Sequence, residues 1–178
     1  MTEIQIHDKV FVPFIDKARI DVRIAAVAAA INTDYAGKRP LILGILNGSF
    51  VFAADLFRNL TIEAEISFVK LASYKGVSSS GNVITAIGLE ENLNGRHIII
   101  VEDIIDTGKT LHTFLPDLQL RQPASVAIAT FLTKPSALKY DVKAAYCAFE
   151  IENKFVVGYG LDYDGLGRNI PELYILKD

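Results

Sequence analysis

The sequence predicts an α/β fold: a mostly parallel, twisted sheet with helices on both faces. Three observations carry that expectation. Residues 41–46 and Ile98, Ile99, Ile100 and Val101 form continuous apolar runs without alternation, the pattern of strands buried on both faces. Such runs alternate with segments whose apolar residues recur at helical spacing. Two adjacent carboxylates, Glu102 and Asp103, stand at the carboxyl end of the 98–101 run, where open α/β sheets bind their ligands.

Each element has its own justification. Ile20, Ile24, Val27 and Ile31 repeat at helical spacing, with Arg19, Asp21 and Arg23 on other faces. Asp16 suits the start of that helix and Gly37 its stop. The strand at 41–46 ends at Asn47-Gly48-Ser49, and the next helix turns Phe50, Ala53, Ala54 and Phe57 to one side. Residues 65–72 and 83–89 read as strands bracketing 73–82. After the 98–101 run, Asp106 to Thr110 make a polar turn, and Leu111, Phe114, Leu115 and Leu118 mark the helix behind it. Strands at 125–132, 144–151 and 155–159 complete the central pattern, and 173–176 adds a short one. Segment 74–81, with two glycines and three serines, has almost nothing to bury; composition alone makes it a loose connection.

At 178 residues and 51% hydrophobic, the chain is expected to form one domain, 1–178, with a substantial core. No apolar run approaches the roughly 18 residues of a membrane span, and Met1-Thr2-Glu3-Ile4-Gln5 lacks the marks of a secretory signal. Cys147 has no second cysteine to pair with, and its strand-like setting suits a buried thiol in a reducing, cytoplasmic compartment. The net charge is −3, with Lys and Arg scattered rather than striped, which argues against nucleic acid as a partner. His7, His97 and His112 are too dispersed in sequence to suggest a metal cluster.

The turn at 106–110 carries the chemistry. Backbone N–H groups at a helix start, with the positive end of its dipole, favour a monophosphate. The acids before it offer acceptors for hydroxyls or a cation. A ligand with a phosphate, a diol and a divalent ion satisfies both. A Walker A loop is excluded, because Asp103 occupies the position where its first glycine belongs. An ordinary strand–turn–helix junction whose acids cap the helix is the competing account.

Val101 to Thr110 resembles the phosphoribosyl-pyrophosphate signature of the type I phosphoribosyltransferases, and Glu102-Asp103-Ile104-Ile105-Asp106-Thr107-Gly108-Lys109-Thr110 is similar to the hypoxanthine-guanine branch. The likeness continues in order through Leu46-Asn47-Gly48-Ser49, Ser73-Tyr74, Lys134-Pro135, Lys154 to Tyr159 and Leu161-Asp162-Tyr163. It implies a type I phosphoribosyltransferase fold with a small hood, and a mobile lid at 74–81. The implied reaction joins a 6-oxopurine, hypoxanthine and guanine, to phosphoribosyl pyrophosphate with Mg²⁺, releasing pyrophosphate, in a homodimer or homotetramer.

Roles follow residue by residue from that resemblance. Glu102 and Asp103 take the ribose hydroxyls and, with Asp162, lie near the metal. Asp106 is the general base at the purine's imidazole ring, a role that competes with helix capping for the same oxygens. Thr107, Gly108, Lys109 and Thr110 clasp the 5′-phosphate, mostly through backbone N–H groups, and Ile105 is a further substrate-binding residue. Lys134 meets the exocyclic oxygen, Phe155 stacks on the base and Val156 offers backbone groups to its edge. Leu46, Asn47, Gly48, Ser73, Tyr74 and Arg168 belong to the pyrophosphate side.

Two departures stand out. Asn47 replaces a lysine common in relatives, at a point where they often carry a non-proline cis peptide, Leu46–Asn47 here. Tyr163 to Arg168 is glycine-richer than in many relatives, which loosens the assignment of Arg168. A xanthine- or guanine-preferring phosphoribosyltransferase, and a catalytically weak nucleotide- or RNA-binding regulator on the same fold, are the alternatives.

Overall fold

The computed structural model describes residues 2–74 and 83–177. The elements run β1 (Ile4–Ile6), β2 (Lys9–Ile15), α1 (Lys17–Asp34), β3 (Leu41–Leu46), α2 (Phe50–Arg58), β4 (Glu65–Tyr74), β5 (Val83–Ile87), β6 (His97–Ile105), α3 (Lys109–Gln119), β7 (Ser125–Thr133), β8 (Tyr146–Glu150), β9 (Val156–Val157) and β10 (Leu173–Leu176). The expected lid, 74–81, lies outside the described residues except for Tyr74, the last residue of β4.

The main sheet has the order β5-β4-β3-β6-β7-β8, with every neighbouring pair parallel except β4 and β5. Strand side chains alternate between its faces. Ile42, Ile99 and Val101 pack with α1 and α2, while Leu41, Leu43, Ile98 and Ile100 pack with α3. The sheet is therefore covered on both faces, as its uninterrupted apolar runs require. The Asp16 side chain caps α1, accepting from the Arg19 N–H at 2.8 Å, and Gly37 follows the helix at φ +72°. At the sheet's β8 edge, the Arg23 guanidinium of α1 donates to the backbone carbonyls of Ala148 and Cys147 at 2.8 and 3.1 Å.

The structure corrects the expected pattern in three places. The 155–159 stretch does not extend the central sheet: its strand, β9, has two residues and sits in a second, antiparallel sheet of order β1-β2-β10-β9. Strands β1 and β2 have no counterpart among the sequence expectations. The second sheet is the hood, with its own small core of Ile6, Phe11, Val157 and Tyr174. Helix α2 buries Phe52, Ala53 and Leu56; Phe50 is 42% exposed and Ala54 also faces out, while Phe57 is only partly buried. No helix among the described residues is long and apolar enough to cross a membrane.

Candidate active site

Strands β3 and β6 are neighbours, but the chain leaves β3 toward β4 on one side and returns to β6 on the other. That reversal opens a crevice beyond their carboxyl ends. Three segments converge there: 47–49 after β3, the end of β6 with the 106–108 turn that follows it, and Lys134 after β7. The hood closes the crevice from above with Phe155, Val156, Leu161 and Asp162, leaving a cleft of about 220 Å³ also lined by Asp103, Ile104, Asp106 and Lys134.

The alternation of β6 separates the two acids at its end. Glu102 continues the α3-side row of Ile98 and Ile100, and lines a smaller concavity of about 80 Å³ formed by residues 104–111. Its Oε2 is buried without a hydrogen-bond partner. Burial pushes the Glu102 carboxyl well above the usual carboxylate range, and Asp103 adds to the shift. Asp103 points into the main cleft instead. Burial raises it as well, against the Ile104 N–H that it accepts at 2.8 Å; Arg168 pulls it down and Asp162 pushes it up.

Gly108 occupies the N-cap position of α3 at φ +81°, a conformation that disfavours side chains, with Tyr140 and Val142 packed against it. The helix therefore begins at the concavity lined by residues 104–111 with no side-chain cap from Gly108, and the Lys109 N–H donates to Thr107 Oγ1 at 3.3 Å. Asp106 is not the cap. Its Oδ2 accepts from Lys134 Nζ at 3.1 Å, in a pairing set by β6–β7 register: Ile105 faces Thr133, and the Lys134 N–H donates to the Ile105 carbonyl. Lys134 is 6% exposed, and the Asp106 carboxylate is half exposed toward the cleft. Ile105 itself is buried in the α3-side core, so its side chain is packing.

The opposite end of the cleft is a backbone construction. Leu46–Asn47 is a cis peptide. A Cβ on Gly48 would overlap the Asp103 carboxylate, and one on Gly160 would overlap the Gly48 carbonyl. The 46–49 turn, Asp103 and the 158–168 loop are thus in direct contact. Within that loop Arg168 pairs with Asp162 at 2.7 Å and donates to the Gly160 carbonyl at 2.7 Å, while the Gly165 N–H donates to Asp162 Oδ2. Asn47 is exposed and adds no charge.

Phe155 is 43% exposed on the cleft's upper wall, backed by Phe11 and Tyr163 at ring separations of 6.2 and 5.7 Å. Ser73 and Tyr74 end β4. Asp106, Lys134, Phe155, Val156, Asp103 and Asp162 are thereby brought around one cavity, and Glu102 to an adjoining one. Among the described residues, no three His, Cys, Asp or Glu side chains converge as a metal nest, so Glu102, Asp103 and Asp162 do not form one preformed ligand group. Of the three carboxylates on the main cleft, Asp106 is paired with Lys134; Asp103 and Asp162 are the two that suit a hard cation sharing its shell with phosphate oxygens and water. Ile104 and Leu161 also line the cleft without having been singled out, because apolar residues beside acids carry no sequence signal of their own.

A family model described as a phosphoribosyl transferase domain matches residues 16–164. The hypoxanthine-guanine-xanthine phosphoribosyltransferase of Tritrichomonas foetus is 37% identical over 179 residues, covering 100% of this chain and 98% of its own length. The hypoxanthine-guanine phosphoribosyltransferase of Streptococcus pneumoniae is 42% identical over 153 residues, 85% of each chain. Among solved structures, a hypoxanthine phosphoribosyltransferase from Staphylococcus aureus matches with a TM-score of 0.87 at 35% identity, covering 93% of this chain and 91% of that one.

Proposed function

The chain belongs to the phosphoribosyltransferase family, and from that membership we infer the chemistry of its cleft. It is an enzyme of the hypoxanthine-guanine branch: it transfers the 5-phosphoribosyl group from phosphoribosyl pyrophosphate to the 6-oxopurine and releases pyrophosphate, the reaction of purine salvage. The observation that carries the finer reading is the pairing of buried Lys134 with the half-exposed Asp106 carboxylate on the cleft that Phe155 also lines.

In this reading the purine lies against Phe155, and Lys134, a donor without acceptors, meets the 6-oxo group. The Asp106 carboxylate, released from Lys134, takes the proton lost at the imidazole nitrogen as the ring bonds to the sugar. The 5′-phosphate sits on the N–H groups of Thr107, Gly108, Lys109 and Thr110. Asp103 orients the ribose hydroxyls, and Glu102 supports them from the adjoining concavity. Arg168 is the side-chain cation at the pyrophosphate end, where Leu46, Asn47 and Gly48 supply backbone groups and Ser73 and Tyr74 flank the approach.

The cation that fits is Mg²⁺, held by Asp103 and Asp162 with substrate oxygens; when bound it supplies neutralisation of the departing pyrophosphate. We place the enzyme in the cytoplasm, with residues 1–178 acting as one unit and assembling as a homodimer or homotetramer. The deciding experiment supplies hypoxanthine, phosphoribosyl pyrophosphate and Mg²⁺ and follows formation of the nucleoside monophosphate, with guanine and xanthine in parallel. No product from any of the three bases refutes the reading.

A further inference from the structure

Tyr159 lies between the hood and the sheet, 2% exposed, and packs behind Val156 and Leu161 without lining the cleft itself. Its backbone sits at φ +49°, the left-handed region that a bulky side chain rarely adopts unless its surroundings hold it there. Three contacts do so. The phenol donates to Asp55 Oδ2 of α2 at 2.6 Å, the ring packs on Phe131 at 4.6 Å, and the Tyr159 N–H donates to the Ile170 carbonyl at 2.7 Å. Asp55 is itself paired with Arg58, so the acceptor is fixed on the helix. Burial and the Asp55 contact keep the phenol protonated far above its ordinary range, which makes it a permanent donor.

The neighbour of Tyr159 explains what this anchor serves. Gly160 rests on the Gly48 carbonyl so closely that a side chain has no room, and its N–H donates to the Arg168 carbonyl at 3.0 Å. Arg168 returns the bond through its guanidinium to the Gly160 carbonyl, and reaches Asp162 with its other nitrogen. Asp162, Arg168 and Gly160 therefore form one closed cage, and α2 begins directly after the Gly48 turn against which the cage rests. We propose that the Tyr159–Asp55 hydrogen bond is a positioning pair: it clamps the Asp162–Arg168 cage onto the turn at Asn47 and Gly48, and so sets the pyrophosphate half of the site without touching substrate.

The proposal rests on the reading of the reaction given above, and wild type tests that reading separately: wild type that forms no nucleotide overturns the reading itself. With active wild type, Tyr159→Phe removes the donor and keeps the ring. The expected result is about a tenfold rise in KM for phosphoribosyl pyrophosphate and in KM for pyrophosphate in the reverse direction, the scale of a lost hydrogen bond to a charged group. KM for hypoxanthine and the affinity for the product nucleotide, neither of which carries a pyrophosphate for Arg168 to hold, stay within about twofold. Asp55→Asn retains an acceptor for the phenol and is expected to keep the wild-type pyrophosphate KM, whereas Asp55→Leu loses it. Equal changes in all four constants, or none, overturn the proposal. If Tyr159→Phe does not fold, the contrast between Asp55→Asn and Asp55→Leu decides alone, and identical pyrophosphate constants in those two refute it.

Discussion

Replacing Lys134 by Gln removes one positive charge from the best-defined contact in the cleft. In the free protein the loss is modest. The partner carboxylate of Asp106 is half exposed and is left to water rather than orphaned, so the pair is worth about 1 kcal/mol or less. For a chain of this size that shifts Tm by about 2–4 °C. With purine bound the balance changes, because the base covers the cleft and, at a position 6% exposed already, no water can take the place of the lost ammonium donor. A hydrogen bond from a charged donor in such a place is worth about 1.5–3 kcal/mol, or roughly 10- to 150-fold in kcat/KM for hypoxanthine. Adenine presents a 6-amino donor, which the ammonium cannot accept but the Gln oxygen can, so discrimination against adenine should narrow. The assay is steady-state nucleotide formation with each base at saturating phosphoribosyl pyrophosphate, beside thermal melts of both proteins. A variant that keeps hypoxanthine kcat/KM within twofold and discriminates as sharply as wild type refutes the role of Lys134 as reader of the base.

Asp106→Asn should lower kcat by about 10²–10⁴-fold; Asp106 caps no helix and the Asn oxygen still accepts from Lys134, so Tm should fall by about 2–4 °C for the lost ion pair, and normal turnover in single-turnover mixing would remove it as the base. Gly48→Ala drives a methyl into the Asp103 carboxylate, and displacement of that group should reduce kcat/KM for phosphoribosyl pyrophosphate by about 10²-fold, with crystals expected to show Asp103 rotated away. Chelation should abolish turnover and added Mg²⁺ restore it; full rates in chelator would exclude Mg²⁺ from the mechanism. The Glu102 carboxyl is raised in the folded state above its value of 4.5, so folding binds its proton more tightly, and its contribution is greatest below about pH 4.5 and fades as pH climbs toward the raised value. Glu102→Gln should then raise Tm at pH 7–8, by about 2–4 °C per kcal/mol relieved, and shift it little at pH 4; denaturation scans without ligand across pH 4–8 would show the opposite slope if Glu102 were stabilised as an anion.

What could be read from the chain, and what could not, divides along locality. The central strands were legible because burial on both faces leaves an unbroken apolar run, and α3 because Leu111, Phe114 and Leu118 repeat at its period. The Asp16 cap is a contact over three residues. The hood was not legible in this way: β9 is two residues long, and β1 and β2 gain their meaning from pairing with β10 near the other end of the sequence. Helix α2 reads Phe50-Val51-Phe52-Ala53-Ala54, apolar on every side, so periodicity could not choose which side faces the core. The site follows the same rule. The 102–110 turn is contiguous and carries its own signature, whereas the Lys134–Asp106 pair exists only once β6 and β7 are in register, and the Tyr159–Asp55 bond only once the hood is seated on α2.

The pairing of β2 with β10 has a consequence for the order of assembly. During synthesis β1 and β2 emerge before the main sheet, but β10, the other partner of β2, emerges after every element of that sheet. The contacts within β3 to β8 join nearer neighbours and close shorter loops, so the sheet and its 106–110 turn have the kinetic advantage. Val156 pairs with Ile175 of β10 and the Phe155 carbonyl accepts from the Leu176 N–H, so both are expected to take their places last. A ribosome-bound or truncated chain lacking 173–176 should therefore hold a phosphate cradle without a ceiling: anion binding would come before purine binding as the enzyme is made.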